Sequence, residues 1–390
     1  MKTDLRSRIL AWATGPVPTS VILAFVIGAG FIMFAGADPI TGYQSLFQGS
    51  FGSAVGIAET LKRAIPLVGM ALAIAVAFRT GVINLGAEGQ MILGGLAGMA
   101  VALYLPGPPL VVMLAACITG AVVGAIWSML SALLQLWPGV PILITSLLLN
   151  YPARSLSAWV IRFPMRDPDA QKESTLALAT EKQIPLIASP ASDTGGFLID
   201  TFGKDSVVTV VGRTVNWSLL VVIILVAAVM FMNARTKFGF ESGINGLNPH
   251  FTRFSGTPAG KLTVQTMLIS GSIAGLIGVM FIIGAPNVRL ADGQLLGTNY
   301  AWTGLLVALL ARYRPAGVVI AGVFFAGIVA GSGAMGRELS MSPQIAAVIQ
   351  GIVIILIAFR VQIPRRTRRR QDETAVVAEQ EMVEEETGRV

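Results

Sequence analysis

Ten apolar segments dominate this chain of 390 residues. A helix needs about 20 apolar residues to cross the hydrocarbon core of a bilayer, and most of these segments reach or approach that length. Only 13% of the residues are charged, whereas soluble domains carry about 25%. The segments are residues 17–36, 61–79, 83–104, 110–136, 140–161, 216–232, 258–284, 296–311, 316–333 and 343–360. They predict an all-α, polytopic membrane bundle of about ten transmembrane helices, a number that would also fit two inverted halves of five.

Basic residues beside these segments predict the topology. Lys2, Arg6 and Arg8 precede the first segment, and an arginine-rich stretch at 360–370 follows the last one. Short loops rich in Lys and Arg stay on the cytoplasmic side of a membrane. Both termini are therefore predicted to be cytoplasmic.

This topology divides the chain into parts. Residues 1–16 form a cytoplasmic N-terminus, 17–360 the transmembrane domain, and 361–390 a charged cytoplasmic tail whose composition predicts disorder. Residues 162–215 form a large external loop.

The net charge of +7 does not indicate nucleic-acid binding, because much of the basic charge lies in short blocks beside apolar segments. Lys62 and Arg63 fall on the outer side in this scheme, against the general rule.

One polar stretch interrupts the apolar pattern. "RTGVINLGAEGQMILGG" (residues 79–95) carries Asn84, Glu88 and Gln90 among several glycines. Ionisable groups inside a membrane are costly and face protein or water. We therefore predict a broken helix here, restarted with Asn84 at its cap. Its polar side chains either line a solute pathway or clamp neighbouring helices, and both interpretations stay open. Asn150 and Asn299 are further amides in apolar segments and join the candidate pathway residues.

Several features point away from an enzyme. No nucleophile, base and acid form a recognisable set, and one histidine and one cysteine do not make a His/Cys metal site. "GTPAGKL" (256–262) is one residue short of a phosphate-binding loop and lacks its Ser or Thr. "GSGAMG" (331–336) lies between two membrane segments and is predicted to be a turn. We expect no catalytic site, no metal and no cofactor in this chain.

Glycine pairs spaced four residues apart recur in the apolar segments. Such pairs let helices approach closely inside a membrane bundle. They are Gly94/Gly98, Gly120/Gly124, Gly271/Gly275 and Gly327/Gly331.

A short helix is predicted at 248–255, between two membrane segments. Asn248 suits the N-cap and Pro249 the first helical position, and Gly256 suits a left-handed end. Phe251 and Phe254 then share one face. Such a face fits a groove on a cytoplasmic protein; the alternative is a helix packed on its own bundle at the membrane surface.

Four stretches together carry a resemblance to a known family. They are "FRTGVINLGAEGQMILG", "LLLNYPA" (147–153), "GLNPHFTRFSG" and "WTGLLVALLARYRPAG" (302–317). From about residue 55 to 360 the sequence resembles the permease subunits of bacterial ATP-binding-cassette (ABC) importers for ribose, branched-chain amino acids and nucleosides. It is most similar to the longer nucleoside permease.

The resemblance implies a division of labour between chains. A second, related permease would pair with this one, a separate cytoplasmic ATPase would bind the ATP, and an external lipoprotein would capture the solute. It also implies that 248–255 is the coupling helix that seats in the ATPase. Its residues would be Asn248, Pro249, His250, Phe251, Arg253 and Phe254.

The predicted function is import of a nucleoside-like solute across a bacterial plasma membrane. Three alternatives remain at this point: the same machine for a simple sugar such as ribose, an ion-coupled secondary transporter, and a membrane scaffold that transports nothing.

Overall fold

Helices make up nearly all the regular structure of this protein. A computed structural model describes residues 26–34, 36–189, 192–254, 256, 258–285, 288–339 and 348. Within these ranges there is no β-strand beyond isolated antiparallel bridges. The all-α prediction is confirmed for this part of the chain.

Most of the helices follow one another with short connections; the longer ones lie between α7 and α8 and between α13 and α14. The first half contains α1 (Val26–Phe34), α2 (Pro39–Phe47), α3 (Ala54–Arg79), α4 (Ala87–Tyr104), α5 (Pro109–Leu136), α6 (Ile142–Leu148) and α7 (Asn150–Arg162). The second half contains α8 (Asp193–Phe202), α9 (Val207–Thr214), α10 (Ser218–Arg235), α11 (Lys237–Leu247), α12 (Pro249–Phe254), α13 (Ala259–Ile283), α14 (Tyr300–Leu310) and α15 (Pro315–Glu338). Residues Ile40–Pro343 form one compact unit, which carries the site and the cavity described below; α1 lies outside it.

In the part of the chain that the structure describes, five helices are long and apolar enough to cross a membrane, namely α3, α5, α10, α13 and α15. The number is six if Val26–Phe34 and Pro39–Gly52 are counted together as one span. Large apolar side chains of α5 are exposed at Leu114, Ile118, Val122 and Ile126. Their four-residue spacing puts them on one helix face, which suits contact with lipid.

Three of the other predicted spans contain a helix or helices that do not meet the length and hydropathy of a full membrane crossing. Residues 83–104 contain α4, residues 140–161 are divided between α6 and α7, and residues 296–311 contain the short α14. The predicted span 343–360 and the start of 17–36 lie outside the described residues. The count of ten and the inverted halves therefore stay predictions.

Close glycine contacts hold α4, α5 and α13 together. A Cβ atom on Gly275 would overlap the carbonyl oxygen of Gly120, and one on Gly94 would overlap the Cα of Gly275. Backbone thus lies directly against backbone where the paired glycines predicted close approach. Gly331 likewise packs against the carbonyl of Leu46.

The predicted turn at 331–336 is wrong. The stretch "GSGAMG" is part of α15, which continues to Glu338. Its glycines serve helix packing, as Gly331 shows, and a glycine inside a helix costs only about 1 kcal/mol relative to alanine. Packing against α2 therefore outweighs the local preference for a turn.

The long segment between α7 and α10 is attached to the chain that follows α13. The backbone N–H of Thr175 donates to Leu290 at 3.0 Å, that of Leu178 to Val288 at 2.9 Å, and that of Ile184 to Ile283 at 2.9 Å. Arg162 forms ion pairs with Glu173 and Asp292 at 2.7 and 2.6 Å. These contacts order the segment over one end of the bundle, called here the loop end.

The opposite end of the bundle, called here the α12 end, is built around the end of α3. There Arg79 donates from Nη2 to the carbonyl of Gly239 in α11 at 3.0 Å. Asn245 Nδ2 donates to the carbonyl of Thr80 at 2.8 Å. A helix of 26 residues is about 39 Å long, so α3 connects the two ends.

Candidate functional site

The polar stretch 79–95 is a break between two helices. α3 ends at Arg79, Gly81 turns the chain with a φ of 81°, and α4 begins at Ala87. The break itself was predicted from the glycines. The N-cap position belongs to Gly86, and Asn84 caps the new helix indirectly, because its Oδ1 accepts from the backbone N–H of Gly86 at 2.9 Å.

Asn84 and Gln90 face each other across this break. Each side-chain amide donates to the oxygen of the other at 3.0 Å. Asn84 Nδ2 also donates to Ser270 Oγ on α13 at 2.9 Å, and Ser270 Oγ donates to the carbonyl of Ala73 at 2.8 Å. Asn84 is 0% and Gln90 1% exposed. The pair therefore joins α3, α4 and α13 inside the protein.

Asn150 clamps the same break from the junction of α6 and α7. Its Oδ1 accepts from the backbone N–H of Gly89 at 2.8 Å, and its Nδ2 donates to the carbonyl of Leu85 at 2.9 Å. Ser146 Oγ accepts from the N–H of Leu85 at 3.1 Å. Because buried backbone groups need partners, these side chains replace the helical hydrogen bonds that the break removes.

Glu88 binds two residues, Arg154 and Trp302, that are not among the predicted site residues. Nη2 of Arg154 on α7 lies 2.7 Å from both carboxylate oxygens, and Trp302 Nε1 on α14 donates to Oε2 at 3.1 Å. The guanidinium also lies over the ring of Tyr151 at 5.8 Å from its centre. A carboxylate inside a membrane is stabilised by a cationic partner. The presence of Glu88 in an apolar segment is therefore the only sequence feature that implied a partner such as Arg154.

These hydrogen bonds give the polar stretch a clamping role. Asn84, Glu88, Gln90 and Asn150 are brought together around one helix break, and each has protein partners. Their contact with solute stays a prediction. Asn299 lies elsewhere: it is exposed and left-handed, with a φ of 52°, immediately before α14.

A cavity at the loop end has a volume of about 940 Å³. It is lined by the first half of α3, the segment 180–218, the last turns of α13, the start of α14 and part of α15. Small-molecule sites occupy about 300–1,000 Å³. None of the five predicted pathway residues is part of its lining, although Thr298 and Tyr300, on either side of Asn299, are.

Charged and aromatic side chains share this cavity. Glu59, Lys62, Arg63 and Arg213 line it, and Glu59 pairs with Lys62 at 3.6 Å. The rings of Phe281 and Tyr300, which also line it, meet edge to face with centres 5.5 Å apart. The cavity thus combines ring surfaces with hydrogen-bond donors, as small-molecule sites do. The sequence did not predict this cavity; the one feature that could have indicated it is the pair Lys62 and Arg63, which departs from the positive-inside rule.

The predicted short helix is confirmed as α12, Pro249–Phe254. Asn248 Oδ1 accepts from the N–H of Phe251 at 3.1 Å, and Gly256 has a φ of 78°. Phe251 is 57% and Phe254 90% exposed, and His250 is exposed as well. Arg253 belongs to the same helix. The two phenylalanine rings therefore form an apolar surface that this unit leaves largely uncovered.

No group of three or more His, Cys, Asp or Glu side chains with a metal-binding arrangement occurs in the ranges that the structure describes.

Comparison with known proteins places this architecture among transporters. The profile of a family described as branched-chain amino acid transport system/permease component matches residues 56–358. The chain is 29% identical to the nucleoside ABC transporter permease protein NupB of Lactococcus lactis, over 87% of this chain and 89% of that protein. It is also 29% identical to the guanosine ABC transporter permease protein NupP of Bacillus subtilis, over 87% of this chain and 91% of that protein.

A third relative is named for a different solute, glucose. The chain is 28% identical to the glucose ABC transporter permease protein TsgB13 of Haloferax volcanii, over 92% of this chain and 90% of that protein. The family match covers well over half of the chain and agrees with its apolar helices. This chain therefore belongs to the family of branched-chain amino acid transport system permease components and is an integral-membrane permease subunit of an ABC transporter.

Proposed function

We propose that this chain imports a nucleoside-like solute across the plasma membrane of a bacterium, as one of two related permeases. The observation that carries the proposal is the 940 Å³ cavity at the loop end, which combines two aromatic rings with charged and amide side chains. A nucleoside offers both a flat apolar ring and several hydrogen-bonding groups. Two of the three relatives compared above are named for nucleosides.

In this proposal the loop end is external and the α12 end is cytoplasmic. Arg235 and Lys237 flank the end of α10, and Arg312 and Arg314 follow α14. The positive-inside rule assigns such short basic connections to the cytoplasm. A bundle of ten transmembrane helices with both termini in the cytoplasm agrees with this orientation.

The α12 helix is the proposed contact with the ATPase. Its two exposed phenylalanines suit an apolar groove, because aromatic side chains are the commonest anchors of protein contacts. ATP would bind to that partner, and this chain would hold no cofactor. Arg79 and Asn245 join α11, the neighbour of α12, to the end of α3. Movement of the coupling helix would therefore be transmitted through α11 to the end of α3. The first half of α3, at the opposite end of this helix, lines the cavity.

The remaining partners are a second permease and an external solute-binding lipoprotein. The exposed apolar surface of the long helices provides area for lipid and for the second permease. The lipoprotein would deliver the solute at the loop end, above the cavity.

Sugar import is the second candidate, since the Haloferax volcanii relative is named for glucose. Uptake by a strain that lacks this importer, complemented with all its subunits, separates the candidates. We expect uptake of labelled nucleosides and not of glucose or ribose, and loss of that uptake when the ATPase is inactivated by substitution. Glucose uptake would favour the second candidate, and uptake that survives ATPase inactivation would indicate an ion-coupled transporter.

A further inference from the structure

Arg63 is a cation without a partner inside the cavity. It is half-buried in the first half of α3, and its Nε atom is buried with no hydrogen-bond partner. The guanidinium makes no hydrogen bond or ion pair with any residue that the structure describes. Arg154 and Arg79, by contrast, both bind through Nη2. An unpaired cation in a membrane helix is costly, which indicates that Arg63 has a functional role such as binding a ligand.

The surroundings of Arg63 indicate what it could bind. Glu59, the nearest carboxylate on its own helix, is engaged with Lys62. The rings of Tyr300 and Phe281 line the same cavity and offer flat apolar surface. A solute in this cavity would therefore meet an aromatic surface and a free guanidinium together.

The guanidinium has a specific chemical preference. It presents N–H donors in a planar fork and no acceptor. Two acceptors side by side on one edge of a ring match this fork, as the O6 and N7 atoms of guanine do. Adenine has an N6 amino donor in place of O6. On the same edge it therefore offers the guanidinium one acceptor, N7, and places a second donor against the guanidinium N–H groups.

We propose that Arg63 is a specificity-determining residue that binds the O6/N7 edge of an oxopurine nucleoside in the cavity. This rests on the proposed nucleoside import and adds the chemical class of the solute. The importer then prefers inosine and guanosine to adenosine, which has the same ribose.

Substitution of Arg63 tests the proposal. Uptake of inosine and adenosine is measured with the complete importer, and the ratio of their kcat/KM values is compared between variants. The same lipoprotein is present in every assay, so its own preference between the two nucleosides does not affect the comparison between variants. Differences in the amount of permease in the membrane also cancel in the ratio. Arg63→Gln is expected to lower the inosine-to-adenosine ratio about tenfold or more, the discrimination of one bidentate pair. Arg63→Lys keeps the charge but not the fork and is expected to lower the ratio too.

Lys204→Gln is the control, because it removes one positive charge at an exposed position of the segment after α7, outside the cavity lining, and leaves Arg63, Lys62 and Glu59 in place. Its ratio should equal that of the unsubstituted importer. An unchanged ratio in Arg63→Gln, or an equal fall in Lys204→Gln and Arg63→Gln, would overturn the proposal while nucleoside import stands. Absence of all nucleoside uptake by the unsubstituted importer would instead refute the proposed function, and this proposal with it.

Discussion

Arg154 and Glu88 form an ion pair across 66 residues of sequence, with Nη2 of the guanidinium 2.7 Å from each carboxylate oxygen. Glu88 is 7% exposed, so loss of Arg154 would leave a nearly buried carboxylate without its charge partner. Trp302 is its other donor. The pair joins α7 to the helix that restarts after the break.

The first prediction concerns the stability of this pair. Arg154→Leu should lower the free energy of unfolding by about 3 kcal/mol, because it leaves the nearly buried Glu88 carboxylate without its charge partner. Glu88→Leu should cost less, because the Arg154 side chain is 36% exposed and solvent screens its charge. The double variant should recover part of the loss caused by Arg154→Leu, because it removes both charges. Thermal unfolding of the purified chain in detergent measures all three. A double variant as unstable as the sum of the two single variants would contradict this coupling.

The second prediction concerns α12. Replacing Phe251 and Phe254 by Ala removes two exposed rings from the proposed contact and should weaken ATPase binding at least tenfold per ring. Co-purification of the ATPase with the permease measures this. Phe197→Ala, at a similarly exposed position on α8, serves as the control and should leave binding unchanged. Full recovery of the ATPase with the double variant would instead favour a helix that packs at the membrane surface.

A third prediction concerns the close packing of α5 and α13. Gly275→Ala should lower the free energy of unfolding by about 3 kcal/mol, because the new Cβ meets the rigid backbone of Gly120. Gly196→Ala in α8 is the matched helical control, since nothing lies within 4 Å of its Cβ position. That variant should be neutral or more stable by up to about 1 kcal/mol. Equal stability of the two variants would show that the helices can separate without cost.

The fourth prediction concerns acid. Arg289 donates to the carboxylate of Asp167 in the segment after α7 and, together with the backbone N–H of Asp169, lowers the pKa of Asp167 below its usual value near about 4. A carboxylate whose pKa is lowered in the folded protein stabilises the fold at pH values above its usual pKa. This stabilisation is lost as the pH falls through the lowered pKa. The protection of the Thr175 and Leu178 amides against hydrogen exchange, taken relative to the intrinsic exchange rate at each pH, should therefore fall below about pH 4.

Two variants check the origin of this acid response. Arg289→Gln should raise the pKa of Asp167 and remove this contribution to stability already at neutral pH, which weakens the acid dependence. Lys204→Gln, an exposed cation of the same segment, should retain it. The same acid response in Arg289→Gln as in the unsubstituted chain would exclude this ion pair as its cause.

The fifth prediction concerns ATP. The purified chain alone should neither bind nor hydrolyse ATP, because the shortened phosphate-loop motif at 256–262 leads into the first turn of α13 and lacks the Ser or Thr that binds Mg²⁺. Equilibrium binding of labelled ATP and phosphate release measure this, with the complete importer as the positive control. Stoichiometric binding by the isolated chain would contradict the assignment of ATP to a partner.

Local features of the sequence were sufficient for much of the fold. The apolar segments gave the long helices because a bilayer leaves backbone groups no partner except within the helix. The break at 79–86 followed from its glycines, and α12 from its cap at Asn248. Each of these depends on residues that are neighbours in the chain. The turn predicted at 331–336 failed for the complementary reason, since contact with α2 outweighed the local preference of glycine.

Only the tertiary structure showed what the polar side chains bind. Glu88 meets Arg154 and Trp302, which lie 66 and 214 residues further along the chain, and the cavity combines residues from α3, α13 and α14. An amide or carboxylate inside a membrane must find a partner, so the sequence determined that these groups would be paired or face water. Which partner each group finds depends on how the helices pack. Shape and close glycine contacts decide that packing, and they act between residues far apart in the chain.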